Sequence, residues 1–181
     1  MGTRQVALLR GVNVGRTRRI AMADLRALVE GLGYREVTTL LNSGNVVFTA
    51  TAKNAGNSAA RIEKALAAQL KVDARVFVLS AEELAAALAA NPFAQFADDP
   101  SRFLLAVTSG LPGHAKLLPL AQRTWEPDAL AIGTRVAYLW CAAGLIESKL
   151  NQAVNRALGE AVTSRNWATM AKLLALAEGT G

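Results

Sequence analysis

Apolar residues along the chain fall into short continuous runs and longer stretches with helical spacing. Residues 6–9, Val-Ala-Leu-Leu, form an apolar run that ends at Arg10-Gly11, the pattern of a buried central strand. A polar loop over 12–21 follows. Residues 21–32 predict a helix, because Met22, Leu25, Leu28, Val29 and Leu32 recur on one face and Gly33 supplies a stop. Residues 37–41 and 46–49 predict two strands joined by the turn Asn42-Ser43-Gly44-Asn45. A loop over 51–57 leads to a helix over 58–70, with Ile62, Leu66 and Leu70 in step, and then to a fourth strand over 73–79. Ser80-Ala81-Glu82-Glu83 has the spacing of a capping box and opens a helix to about residue 90.

That order is βαββαβ, the ferredoxin-like unit. The pattern then begins again. A strand over 102–108 precedes a helix over 113–122, broken or bent at Pro119. A hairpin over 129–132 and 135–141 turns at Gly133-Thr134, and a helix over 145–158 carries Ile146, Leu150, Val154 and Leu158 on one face. No final strand is predicted in this half. A last helix over 164–178 is predicted instead, with Trp167, Met170, Leu174 and Ala177 facing a core. The expected fold is therefore α+β: a ferredoxin-like βαββαβ half, a related βαββα half and a C-terminal helix. The expected segments are residues 1–90, a linker over 91–101 marked by Pro92, Pro100 and Asp98-Asp99, and residues 102–181.

The topology carries a consequence for chemistry. In a βαββαβ unit the first two strands run parallel through a right-handed crossover. The loop after strand one and the turn after strand two then share one end of the sheet. Arg10, Asn13 and Arg16 are thereby expected beside Asn42, Ser43 and Asn45, with Arg18 and Arg19 close by. Guanidinium groups, amides and a hydroxyl at one rim suit an anion.

Charge sharpens this picture. The net charge is +6, and residues 1–26 hold Arg4, Arg10, Arg16, Arg18, Arg19 and Arg26 against the single acid Asp24. Arginine outnumbers lysine fourteen to six, which favours bidentate contact with phosphate or carboxylate. The same charges also serve as a solvated face. Hydrophobic residues make up 52% of the chain, so it can bury a sizeable core. No apolar run approaches the ~18 residues of a membrane span, and the opening residues leave no room for a signal peptide. The expectation is a cytoplasmic protein with no membrane partner.

Other chemistry finds less support. Gly11 to Thr17 follows a strand as a phosphate-binding P-loop does, but it is one residue short between its glycines and has Arg for Lys. There is no dinucleotide-binding glycine pattern, and no cofactor is expected. One cysteine, Cys141, and one histidine, His114, leave no Cys/His zinc site, and no metal is expected. Cys141 follows Tyr-Leu-Trp in an apolar strand and reads as a core thiol. A second anion candidate is Thr163-Ser164-Arg165-Asn166, read as the start of the last helix, with Lys149 on the preceding helix near it; the competing reading is an ordinary helix cap. Trp125, in a loop before Pro127, is the freest of the three tryptophans. The first strand has no aromatic and the third only Phe48, which argues against base reading by a sheet face.

Several separated motifs are familiar together. They are Leu8-Leu9-Arg10-Gly11-Val12-Asn13-Val14-Gly15, Met22-Ala23-Asp24-Leu25-Arg26 and Asn42-Ser43-Gly44-Asn45-Val46-Val47-Phe48, followed by Glu147-Ser148-Lys149-Leu150 and Thr163-Ser164-Arg165-Asn166-Trp167-Ala168-Thr169. In these the chain resembles a bacterial family catalogued as domain of unknown function 1697. The resemblance implies an α+β fold with ferredoxin-like subdomains and implies no activity. The family has a second glycine where this chain has Arg16, so Arg16 carries over less well than Arg10 or Asn13. The leading functional expectation is a small anionic, phosphate-bearing ligand held by Arg10, Asn13, Arg16, Asn42, Ser43 and Asn45, with Lys149, Arg165 and Asn166 as further candidates. Salt-dependent nucleic-acid binding by the arginine cluster and docking of an acidic protein partner are the alternatives.

Overall fold

The computed structural model describes residues 2–179. Met1, Thr180 and Gly181, at the ends of the two expected segments, lie outside the described residues. The fold mixes helices with two four-stranded antiparallel sheets. The chain forms two compact units: one runs to Ala85 and regains the chain from Lys172 onward, and the other spans Ala86–Ala171.

In the first unit the elements are β1 (Gly2–Leu9), α1 (Met22–Gly31), β2 (Arg35–Leu40), β3 (Asn45–Thr51), α2 (Ser58–Ala65), β4 (Val76–Ser80) and the start of α3 (Ala81–Ala89). The strand order is β2-β3-β1-β4. β1 takes a central place because its apolar run tolerates burial: residues 5–9 are all buried. Alternation divides its side chains. Ala7 and Leu9 join Val46, Phe48 and Ala50 of β3 against Leu25, Leu28 and Val29 of α1 and Ile62 of α2. Val6, Leu8, Val47 and Leu79, on the other face, are also buried.

The helix predicted to run to Leu70 departs from α geometry early. Its last turn, Leu66–Leu70, is a π-helix that ends at Lys71 with φ +56°. β4 begins at Val76, three residues after the predicted start. The capping box is present in full: the Glu83 N–H donates to Ser80 Oγ at 3.0 Å, and the Ser80 N–H donates to Glu83 Oε2 at 2.8 Å.

The second unit contains the rest of α3, then β5 (Phe103–Thr108), α4 (Gly110–Ala115), α5 (Leu118–Ala121), β6 (Ala129–Ile132), β7 (Val136–Trp140), α6 (Lys149–Leu158), β8 (Val162–Asn166) and the first part of α7 (Trp167–Glu178). Its strand order, β6-β7-β5-β8, repeats that of the first unit. β8 corrects the expectation that this half lacks a final strand. It lies at the sheet edge beside β5, and only Val162 and Thr163 on it are buried. A mostly polar edge strand has no apolar signature to read. The helix expected over 113–122 is broken at Lys116 and Leu117, just before Pro119, which sits in the first turn of α5.

Two cores frame this sheet. Leu104, Ala106, Ala137 and Leu139 pack with Leu150, Val154 and Leu158 of α6. On the opposite face Phe103 stacks on Trp167, with ring centroids 4.4 Å apart and planes 2° from parallel. Within residues 91–101, Phe93 is buried, its ring centroid 5.8 Å from that of Phe103.

Candidate functional site

The rim of the first unit is built by two loops that lock together. The Leu9 N–H donates to Gly44 O at 2.8 Å, and the Arg10 N–H donates to Arg75 O at 2.9 Å. The chain then turns at Gly11, φ +65°, and buries Val12. Asn13 follows with φ +56° and acts as a bolt. Its Nδ2 donates to Ile20 O and to Asn42 O, both at 2.8 Å, while its Oδ1 accepts the Ile20 N–H at 2.8 Å. Its own N–H donates to Arg18 O at 3.0 Å. One side chain thus closes the loop on itself and ties it to the β2–β3 turn. Asn tolerates the left-handed conformation better than most residues, so this position suits it twice over.

Gly44 permits the closeness. Its φ is +80°, and a Cβ there would lie 2.6 Å from Val12 Cγ2 and 2.8 Å from Leu9 Cβ. Asn45 closes the same turn from below. It is fully buried, and its Nδ2 donates to Leu40 O and Ser43 Oγ, each at 2.9 Å. The two loops leave an open groove of about 330 Å³ lined by Asn13, Arg19, Ile20, Ala21 and Asn42.

The N-terminal arginines divide by role. Arg4 on β1 clasps the end of α7, donating from Nε to Ala177 O and from Nη2 to Leu176 O at 3.3 Å, while Nη1 reaches Glu36 O and Thr49 Oγ1. Arg26 pairs with Glu30 at 2.9 Å one helical turn on. Arg10 is half-buried. Arg16, Arg18 and Arg19 are exposed on the loop itself, with the Arg18 guanidinium over Gly11. Of the expected rim residues, then, Asn13 and Asn42 meet directly, Asn45 and Ser43 shape the turn, and Arg16 stands out toward solvent.

The second candidate is corrected. Thr163, Ser164 and Arg165 lie on β8 and do not open a helix. Only Asn166 caps one, its Oδ1 accepting the Thr169 N–H at 2.9 Å. Arg165 Nη1 donates to Thr163 Oγ1 at 3.0 Å and to Ser164 O at 2.9 Å. Burial lowers its pKa to about 10, so it remains a cation at neutral pH. Arg165 pairs across from Leu105, whereas α6 covers the face that carries Leu104. Lys149, exposed at the start of α6, therefore belongs to the opposite side of the sheet from Arg165.

Three other expectations meet the structure here. Trp125 is half-buried against the α6 core, and its Nε1 donates to Leu120 O at 2.8 Å, so it is not a free aromatic. Cys141 is buried, and burial pushes its thiol pKa up. Beside it, Ser148 Oγ donates to Asp128 Oδ2 at 2.7 Å and accepts the Asn151 N–H at 3.0 Å, which makes this pair a cap for α6. Among the described residues no group of three or more His, Cys, Asp or Glu side chains is placed to hold a metal ion. A second groove of about 330 Å³, lined by Thr51, Lys53, Asn54, Asn57 and Arg61, was not anticipated; the polar run 51–57 is its only trace in the sequence.

The architecture is that of an α+β protein in which one strand order occurs twice and one copy carries a basic, loop-built rim. Residues 2–138 match the family described as Protein of unknown function (DUF1697), and the chain belongs to that family. Its fold is similar to that of the conserved bacterial protein SP0830 from Streptococcus pneumoniae, at 22% identity over 98% of this chain and 99% of that one, with a TM-score of 0.77. No curated protein matches the chain.

Proposed function

We propose that the protein binds a small phosphate-bearing anion at the rim formed by residues 10–21 and the β2–β3 turn. One observation carries this reading. The first unit joins β1 to α1 through residues 10–21, whereas the second, with the same strand order, joins β5 to α4 through Ser109 alone. The second unit closes the same strand order without such a connection, and in the first it carries the exposed Arg16, Arg18 and Arg19. Arg19 lines the groove, and Arg16 and Arg18 are exposed on the same loop. Asn13 and Asn45 hold the scaffold, and the carbonyl of Asn42 is already engaged by Asn13. We also infer that each unit is ferredoxin-like. The antiparallel order 4-1-3-2 in both supports this.

Nucleic acid is the second reading, and the outward Arg16, Arg18 and Arg19 favour it. Stacking on the sheet does not, because Phe48 is fully buried. Thermal shifts with phosphate, pyrophosphate, nucleotides, sugar phosphates and short oligonucleotides at two salt concentrations separate the two. A small ligand at ~100 times its Kd adds ~2.7 kcal/mol to stability. A shift that survives moderate salt and disappears in Arg19→Ala supports the proposal. Shifts with oligonucleotides only, erased by salt, transfer the function to nucleic acid. No shift with any of them removes both.

A further inference from the structure

Resting on that reading, we propose that the ligand carries an apolar group beside its phosphate, as a nucleoside phosphate does, and is not a free phosphate or a sugar phosphate. Arg19 lines the groove, and the two loops that form it expose large apolar side chains. Val14 is 69% exposed and Leu41 56% exposed. Each adjoins one member of the bonded pair, Val14 following Asn13 and Leu41 preceding Asn42, whose Nδ2 and O lie 2.8 Å apart. Ile20 and Ala21 add apolar lining to the groove.

Leu41 is unfavourable in its place on two counts. Its φ is +58°, a conformation that disfavours a leucine and suits Gly or Asn. Its side chain also points into water at the tip of a turn where polar residues are usual. Strain and exposure coincide at a position one residue from Asn42, which lines the groove. A guanidinium in the lining and apolar side chains exposed on the same two loops suit a flat base as well as a phosphate. A volume of about 330 Å³ is at the small end for ligand sites, which run from about 300 Å³ upward. It suits a mononucleotide better than a larger cofactor.

Isothermal titration with inorganic phosphate, ribose 5-phosphate, phenyl phosphate and adenosine monophosphate tests this. Burying about 60 Å² of apolar surface gives about a tenfold gain in affinity. Adenosine monophosphate is therefore expected to bind about tenfold tighter than ribose 5-phosphate. In Leu41→Asn and Val14→Ser the two are expected to bind within about threefold of each other, with phosphate affinity unchanged. Asn is at home at positive φ, so Leu41→Asn retains the fold, and a melting curve checks both variants. Tight phenyl phosphate with weak nucleotide binding means an apolar ester other than a nucleotide and overturns the nucleoside assignment. Equal affinity for all four probes, still lost in Arg19→Ala, overturns the apolar group and leaves the anion site standing. No binding by any probe, or binding indifferent to Arg19→Ala, overturns the site and this inference together.

Discussion

The two units thread four strands in the same order but treat the rim of the sheet differently. In the first, residues 10–21 fold over the sheet end and are bolted by Asn13 to the turn after β2. In the second, Ser109 alone separates β5 from α4, and the hairpin between β6 and β7 closes with the Gly133 N–H donating to Val136 O at 2.8 Å. The helical layers differ to match. α1 is one continuous helix, and its counterpart is split into α4 and α5. A shared strand order is thus compatible with either rim.

The comparison breaks first at the two hairpin glycines. Gly44→Ala forces an L-residue into φ +80° and drives a Cβ to 2.6 Å from Val12 and 2.8 Å from Leu9. Strain and overpacking together predict a loss of about 2–4 kcal/mol. Gly133 has no left-handed φ, and its Cβ would meet Val136 Cγ2 at 2.9 Å, for which a smaller loss of about 1 kcal/mol is expected. Melting temperatures of the two variants measure the gap. Equal losses would mean that the rim of the first unit is no more tightly built than that of the second.

Next in size is Asn13. Asn13→Ala removes three hydrogen bonds and leaves the Ile20 N–H without its acceptor, a loss of about 1–3 kcal/mol. Asn13→Gly removes the same bonds but relieves the strain at φ +56°, so it should melt above Asn13→Ala. If the two melt together, backbone conformation at this position contributes nothing.

How legible these features were depended on how each residue signals. The adjacency of the two loops followed from element order alone, because parallel β1 and β2 place their ends together. The apolar faces of α1 and α2 were equally plain, and so was that of α6 save for Ile146, which precedes the helix and is 85% exposed. β8 was not, since Thr163, Ser164, Arg165 and Asn166 are polar and gain strand structure only from pairing with β5. The division of labour among the arginines was also hidden. Arg4 and Arg16 are the same letter, and only tertiary structure shows Arg4 gripping α7 while Arg16 faces water. Asn45 looked like a binding residue because buried turn amides and ligand amides use the same chemistry.

A smaller effect compares the helices that follow the last strand of each unit. α3 opens with a reciprocal box in which Ser80 and Glu83 bond each other's N–H, and α7 opens with the one-sided cap from Asn166 to Thr169. Ser80→Ala and Asn166→Ala should each cost about 1 kcal/mol. Adding Glu83→Ala to Ser80→Ala tests reciprocity, because the second change matters less once the box is already open. Additive losses would reduce the box to two independent contacts.

The smallest effect on stability is the most informative about the rim. Arg16→Ala and Arg18→Ala remove exposed side chains from a loop whose shape rests on Asn13, Gly44 and buried Val12. Stability should change by no more than about 0.5 kcal/mol, the usual range for surface sites away from structural features. Repulsion among Arg16, Arg18 and Arg19 would even make each removal slightly stabilising at low salt. Arg4→Ala supplies the contrast, because it removes three hydrogen bonds to backbone carbonyls. If Arg16→Ala destabilises the protein as Arg4→Ala does, the loop charges are part of the scaffold and the excess of chain at this rim has a folding role after all. If it leaves melting unchanged while weakening the response to phosphate, the extra connection that the second unit lacks is there for its ligand.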